Sequence, residues 1–182
     1  MDFETLAADA DAQQLGKSLY ASYCTTCHGS DARGAKGYPN LTDDDWIWGN
    51  SEAQITASIA QGRNAVMPQL APALGGDAGV DNMVRYVRSL SGLVEADDAS
   101  MAAQPLFVAL CSACHNADGT GNALIGGPNL TDDVWLYGSS DIDVRETIMN
   151  GRNGVMPAHG DFLGEKRTRI LAAYVSSLSN AE

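Results

Sequence analysis

All four cysteines of this chain lie in two Cys-x-x-Cys-His units, Cys24-Thr25-Thr26-Cys27-His28 and Cys111-Ser112-Ala113-Cys114-His115, and two of its three histidines complete them. Few chemistries suit that arrangement. A structural zinc site takes four ligands, and each unit offers two thiols and one imidazole with no second pair nearby. A thioredoxin-like motif sits in a βαβ context and leaves the adjacent histidine without a purpose. Two thiols one helical turn apart can instead add to the two vinyl groups of one porphyrin, while the next residue presents its imidazole to the iron from the same side. This is the attachment pattern of haem c. The sequence therefore predicts two covalently bound haem c groups, held by Cys24, Cys27, Cys111 and Cys114, with His28 and His115 as axial ligands.

The two units belong to an internal repeat. Leu19-Tyr20-Ala21-Ser22-Tyr23-Cys24 aligns with Leu106-Phe107-Val108-Ala109-Leu110-Cys111 at an offset of 87 residues. Pro39-Asn40-Leu41-Thr42-Asp43-Asp44 recurs at an offset of 89 as Pro128-Asn129-Leu130-Thr131-Asp132-Asp133, so the second half has two extra residues between. Gly62-Arg63-Asn64-Ala65-Val66-Met67-Pro68 recurs as Gly151-Arg152-Asn153-Gly154-Val155-Met156-Pro157. A period this long denotes a duplicated domain, not a solenoid.

Each half reads as helix, long loop, helix, methionine loop, helix. Helices are predicted from Asp11 to Cys27 and from Ser100 to Cys114. Ser51-Glu52-Ala53-Gln54 has the form of a capping box, with Gly62 as the stop, and its twin runs from Asp141 to Asn150. Closing helices carry Val80, Val84, Val87 and Leu90 in one half and Ile170, Leu171, Tyr174, Val175 and Leu178 in the other. Strand signals are almost absent, and the expected fold is all-α: two tandem domains, residues 1–91 and 100–182, joined by an acidic linker at 92–99. Halves this small need an apolar insert to complete a core, and a haem is one.

The opposite axial position calls for a ligand that the repeat supplies twice. Of six methionines, only Met67 and Met156 are equivalent. Both sit on loops fixed by a following proline. A thioether favours reduced iron and raises the potential. Met83 and Met149 fall among apolar helical neighbours and read as packing. Met1 lies at the terminus, and Met101 beside the linker. His159 is three residues from Met156, but its counterpart is Leu70, so the repeated design does not use it. With both irons saturated, no catalytic residue is expected, and the chemistry is outer-sphere electron transfer. Trp46, Trp48, Trp135 and Tyr137 are expected to pack on the porphyrins or bond a propionate. Arg63 and Arg152 are expected to pair with propionates.

The net charge is −12, and both halves are acidic, which argues against nucleic acid as a partner and suits either solubility or steering of a basic protein. No run is long and apolar enough for a membrane helix. Met1-Asp2-Phe3-Glu4 lacks the layout of a signal peptide.

The combination of Cys-x-x-Cys-His, Pro-Asn-Leu-Thr-Asp-Asp-x-Trp-x-Trp/Tyr-Gly and Gly-Arg-Asn-x-Val-Met-Pro, present twice, resembles the di-haem subunit III of cbb3-type cytochrome c oxidases, from about Gln14 to Ser179. The resemblance implies class I cytochrome c-like domains and His28, Met67, His115 and Met156 as iron ligands. It also implies a donor c-type cytochrome and the other subunits of a membrane oxidase complex as partners, on the periplasmic side of the bacterial inner membrane. The chain would not be an enzyme by itself. Subunits of this kind carry an N-terminal membrane anchor, so a soluble portion of an anchored subunit is expected here. A free periplasmic shuttle resembling cytochrome c4 is the alternative, followed by a di-haem peroxidase.

Overall fold

The computed structural model describes residues 2–179. Its elements run α1 (Phe3–Ala8), α2 (Ala10–Tyr23), α3 (Thr25–His28), α4 (Glu52–Gln61), β1 (Arg63–Met67), α5 (Asp77–Leu90), α6 (Asp98–Met101), α7 (Gln104–Leu110), α8 (Ser112–His115), α9 (Asp141–Asn150), β2 (Arg152–Met156) and α10 (Gly160–Leu178). The fold is helix-rich, as expected, with one correction. The two methionine loops are strands, and they make a two-stranded sheet. Five residues with alternating burial are too few to stand out as a strand signal in sequence.

The expected helices are present, but the two that lead into the cysteine motifs are interrupted. The first breaks at Cys24, which separates α2 from α3, and the Ser100–Cys114 stretch is divided among α6, α7 and α8. The Ser51–Gln54 capping box forms with both of its reciprocal bonds.

The chain folds into two compact units, and these do not follow the expected boundaries 1–91, 92–99 and 100–182. One unit is made of the described residues within Met1–Asn64 and Val155–Glu182; the other is Ala65–Gly154. Of the two expected domains, Met1 and residues 180–182 lie outside the described residues. The chain passes from one unit to the other within β1 and again within β2. The acidic 92–99 stretch is no bridge between units. It is fastened inside the second one, where Leu93 donates to the Arg88 carbonyl and Asp97 both caps α6 and pairs with Arg85 at 2.6 Å.

In the first unit, α10 packs on α1, α2 and α4. Gly16 sets the closeness of the α2 contact, because a Cβ there would fall 2.4 Å from that of Tyr174. Leu19, Tyr20, Ile55, Ile59, Leu163, Leu171 and Val175 make the core, and Tyr20 packs against Tyr174 at 5.8 Å between ring centroids.

In the second unit, α5 packs on α6, α7 and α9. Val80, Met83, Val84, Tyr86, Val87, Phe107, Val144 and Ile148 form its core, with Tyr86 and Phe107 rings 5.3 Å apart. In both units, therefore, the helix leading into one Cys-x-x-Cys-His segment packs on the closing helix of the other repeat.

Candidate functional site

The helix entering each Cys-x-x-Cys-His segment ends in the same way. Cys24 caps α2, its N–H donating to Tyr20, and its carbonyl then accepts from Cys27 at 3.1 Å and His28 at 2.9 Å. Cys111, Cys114 and His115 repeat these bonds at 3.1 and 2.9 Å. The single turn this makes keeps the paired thiols one helical turn apart, and all four cysteines are free. Burial pushes the Cys24 and Cys111 thiols up to about 11.

His28 and His115 are both buried, at 8% exposure each. The Nδ1 of His28 lies 3.0 Å from the Pro39 carbonyl, and that of His115 lies 2.9 Å from the Pro128 carbonyl. A carbonyl only accepts, so Nδ1 carries the proton and Nε2 is left as the donor atom for a metal. Burial holds both imidazoles below their usual range, against the opposing effect of the proline-carbonyl bonds, with His159 adding a smaller lowering at His28.

The repeated Pro-Asn-Leu-Thr segment explains itself here. Its proline carbonyl orients the histidine, and Asn40 Oδ1 accepts from the Thr42 backbone at 2.9 Å and hydroxyl at 2.8 Å, as Asn129 does from Thr131 at 3.0 and 2.7 Å. Sequence reasoning used this segment to align the repeats and missed its part in orienting the histidines. Tyr20, whose hydroxyl donates to Gly29 at 2.8 Å, was missed as a brace of the segment after His28.

The methionines are where position in the chain misleads. Met156 packs against the first unit's core, as Cys24, Trp46 and Leu41 also do. Met67 packs against the second unit's core, with Cys111, Trp135, Leu130 and Met149. Each methionine therefore shares a unit with the histidine of the other repeat, which corrects the arrangement implied by the expected domains. The arginine of the same motif does not cross over. Arg63 stays in the first unit, 4.6 Å over the Trp48 ring, donating to Ser58 Oγ at 2.8 Å and the Gln54 carbonyl at 3.1 Å. Arg152 stays in the second, 4.5 Å over Tyr137 and bonded to Thr147 Oγ1 at 2.9 Å. The Gly-Arg-Asn-x-Val-Met-Pro motif is thus divided between units at its centre.

The Trp-x-Trp/Tyr-Gly segment is a tight turn, Gly49 donating to Trp46 at 3.0 Å and Gly138 to Trp135 at 3.1 Å. Trp46 Nε1, Trp135 Nε1 and one terminal nitrogen of Arg152 are buried without a hydrogen-bond partner among the described residues. Buried donors are normally satisfied, so these three fit anionic acceptors of a bound group, as haem propionates are. Among the described residues, no three His, Cys, Asp or Glu side chains converge on a point that would hold a bare metal ion. Met83 is buried in the core and Met149 packs against it, as expected. His159 lies in the first unit, its ring 5.5 Å from that of Phe162 and its Nδ1 buried without a partner among the described residues.

Two Cys-x-x-Cys-His segments with buried, oriented histidines, one in each compact unit, have the form of a c-type cytochrome. Comparison with known families places the chain within that class. The family described as cytochrome c oxidase, cbb3-type, subunit III matches residues 11–87 and again 98–175, and the chain belongs to that family. The subunit CcoP of a cbb3-type cytochrome c oxidase from Rubrivivax gelatinosus is 43% identical over 176 residues, covering 97% of this chain and 58% of that protein. The subunit FixP from Bradyrhizobium sp. (strain ORS 278) is 42% identical over 182 residues, covering 94% and 62%. The CcoP subunit of Cereibacter sphaeroides is 38% identical over 197 residues, covering 100% and 67%. The chain spans about three fifths of the length of the first two relatives. No helix among the described residues is long and apolar enough to cross a membrane.

Proposed function

We propose that this chain carries two haem c groups and transfers electrons from a soluble donor cytochrome towards the oxygen-reducing centre of a cbb3-type oxidase, on the periplasmic side of the bacterial inner membrane. The observation that carries this reading is that each compact unit brings together one Cys-x-x-Cys-His segment, one buried and oriented histidine, and one methionine. When bound, haem iron supplies a one-electron ferric/ferrous couple, and the chain's own residues hold it and set its potential.

Cys24 and Cys27 would attach the first haem, with His28 and Met156 available to hold its iron. Cys111 and Cys114 would attach the second, with His115 and Met67. The Pro39 and Pro128 carbonyls fix the ring orientation and raise the basicity of the ligating nitrogen. Trp46, Trp135 and Arg152 would donate to propionates, and Trp48 and Tyr137 hold the guanidinium planes of Arg63 and Arg152 in place. With a histidine and a methionine from the protein available to each iron, the bound haems would supply electron transfer rather than a site for oxygen or peroxide, and the chain would act as a conductor within an oxidoreductase complex.

Expression with a cytochrome c maturation system tests the reading. Denatured protein is expected to retain two covalent haems per chain, and C24S/C27S one. The ferric protein is expected to be low-spin at both irons, with no carbon monoxide complex after reduction. A high-spin, carbon monoxide-binding haem would overturn the electron-transfer assignment.

A further inference from the structure

The two units differ most where the chain leaves the histidine. In the first, the loop closes early: Ala35 and Tyr38 exchange backbone bonds at 3.0 and 2.7 Å, and its exposed side chains include Arg33 and Lys36. In the second, the two extra residues lengthen that hairpin, and Asn122 and Gly127 exchange bonds at 2.8 and 3.1 Å. The tip between them is Leu124, 86% exposed, and Ile125, 47% exposed. Isolated exposed aliphatic residues are unremarkable, but this pair is held in place from both sides. Gly121 donates to the His115 carbonyl at 2.9 Å, and Gly127 lies so close to Cys114 that a Cβ would meet its carbonyl oxygen at 1.9 Å. Asn122 Oδ1 further accepts from Leu124 N–H at 3.1 Å. An exposed apolar tip is thus built rigidly onto the haem-attachment segment, beside the exposed Cys114.

The charge around it has one sign. The second unit holds eleven carboxylates, four arginines and no lysine. All four arginines are committed to ion pairs: Arg85 with Asp97, Arg88 with Asp141, Arg145 with Asp77 and Asp81, and Arg152 with Glu146. Asp118 and Asp133, both exposed on the segments flanking the loop, have no ion-pair partner among the described residues. Gly119 accepts from Leu130 N–H at 2.8 Å, which ties the Asp118 turn to the segment leading to Asp133.

We propose that the Asn122–Gly127 loop is the surface on which a small basic electron-carrier protein docks, with Leu124 and Ile125 making the apolar contact and Asp118 and Asp133 steering the approach. The inference rests on the reading of the chain as a di-haem electron-transfer subunit, and adds which haem receives the electron. An apolar centre rimmed by charge keeps a transient complex short-lived while the charge speeds its formation. A basic partner meets the exposed Arg33 on the corresponding loop of the first unit, and no cation on this one.

The test is stopped-flow reduction of the haem-loaded chain by a reduced, lysine-rich mitochondrial-type cytochrome c, at low and high salt. L124S/I125S is expected to slow the bimolecular step about tenfold at both salt concentrations, and D118N/D133N to slow it several-fold at low salt alone. The repeat-equivalent D31N/D44N is expected to stay within about twofold of the unaltered chain. Haem content, both potentials and reduction by dithionite should be unchanged in all variants, which separates loss of docking from failure of the di-haem reading. A full rate in L124S/I125S, or an equal loss in D31N/D44N, would overturn the proposal.

Discussion

Inside the first unit, Gly62 lies against the main-chain carbonyl of Met156: a methyl group on Gly62 would come within 2.4 Å of that oxygen. Gly151 has the same relation to Met67 in the second unit, at 2.3 Å. Each glycine ends the helix that precedes the methionine strand of its own repeat, and each holds in place the methionine of the other. Both have positive φ, 72° and 71°, which alone favours glycine.

Gly62→Ala therefore combines backbone strain with a clash against main chain. It should destabilise the first unit by about 1–3 kcal/mol. In the haem-loaded protein it should weaken the ferric sulfur-to-iron charge-transfer band of the haem on Cys24 and Cys27, and Gly151→Ala should weaken that of the other. Thermal denaturation and red-edge absorption spectra measure both effects. An unchanged band in both variants would show that the glycines do not position the thioethers.

Tyr86 and Phe107 report on which helices truly pair. Their rings are 5.3 Å apart, and Phe107 is fully buried. A double-mutant cycle with Tyr86→Leu and Phe107→Leu should give a coupling of about 0.5–1.5 kcal/mol in denaturant melts. The same cycle on Tyr86 and Tyr20, the repeat equivalent of Phe107, should give additive losses. Coupling of Tyr86 to Tyr20 instead would restore the expected 1–91 domain.

Much of this was legible in the chain. The Cys-x-x-Cys-His units, the capping box at Ser51 and the Asp141–Asn150 helix are set by local spacing, and all three lie where the sequence places them. The exchange was not legible, because the two repeats are alike. Phe107 and Tyr20 are both large aromatics on the helices that lead into the Cys-x-x-Cys-His segments, and either closing helix offers a tyrosine to receive them. Which one does so is a matter of tertiary connection, and a duplicated pattern encodes both answers equally. The strands escaped notice for a different reason: β1 and β2 are short and rest on pairing with each other, a contact that no local window contains.

Trp46 and Trp135 each leave an indole N–H buried without a partner among the described residues. Donation to a propionate stabilises its negative charge, which otherwise favours ferric iron. Trp46→Phe should lower the potential of the first haem, and Trp135→Phe that of the second, with little loss of covalent haem. Redox titration followed in the visible bands reads the change, and unaltered potentials in both variants would remove the tryptophans from the propionate sites.

The central claim is that each iron takes its histidine from one repeat and its methionine from the other. A crystal structure of the haem-loaded chain measures this directly. The account predicts Met156 Sδ on the iron of the haem joined to Cys24 and Cys27, and Met67 Sδ on the iron of the haem joined to Cys111 and Cys114. Met67 Sδ on the first of these irons would contradict it.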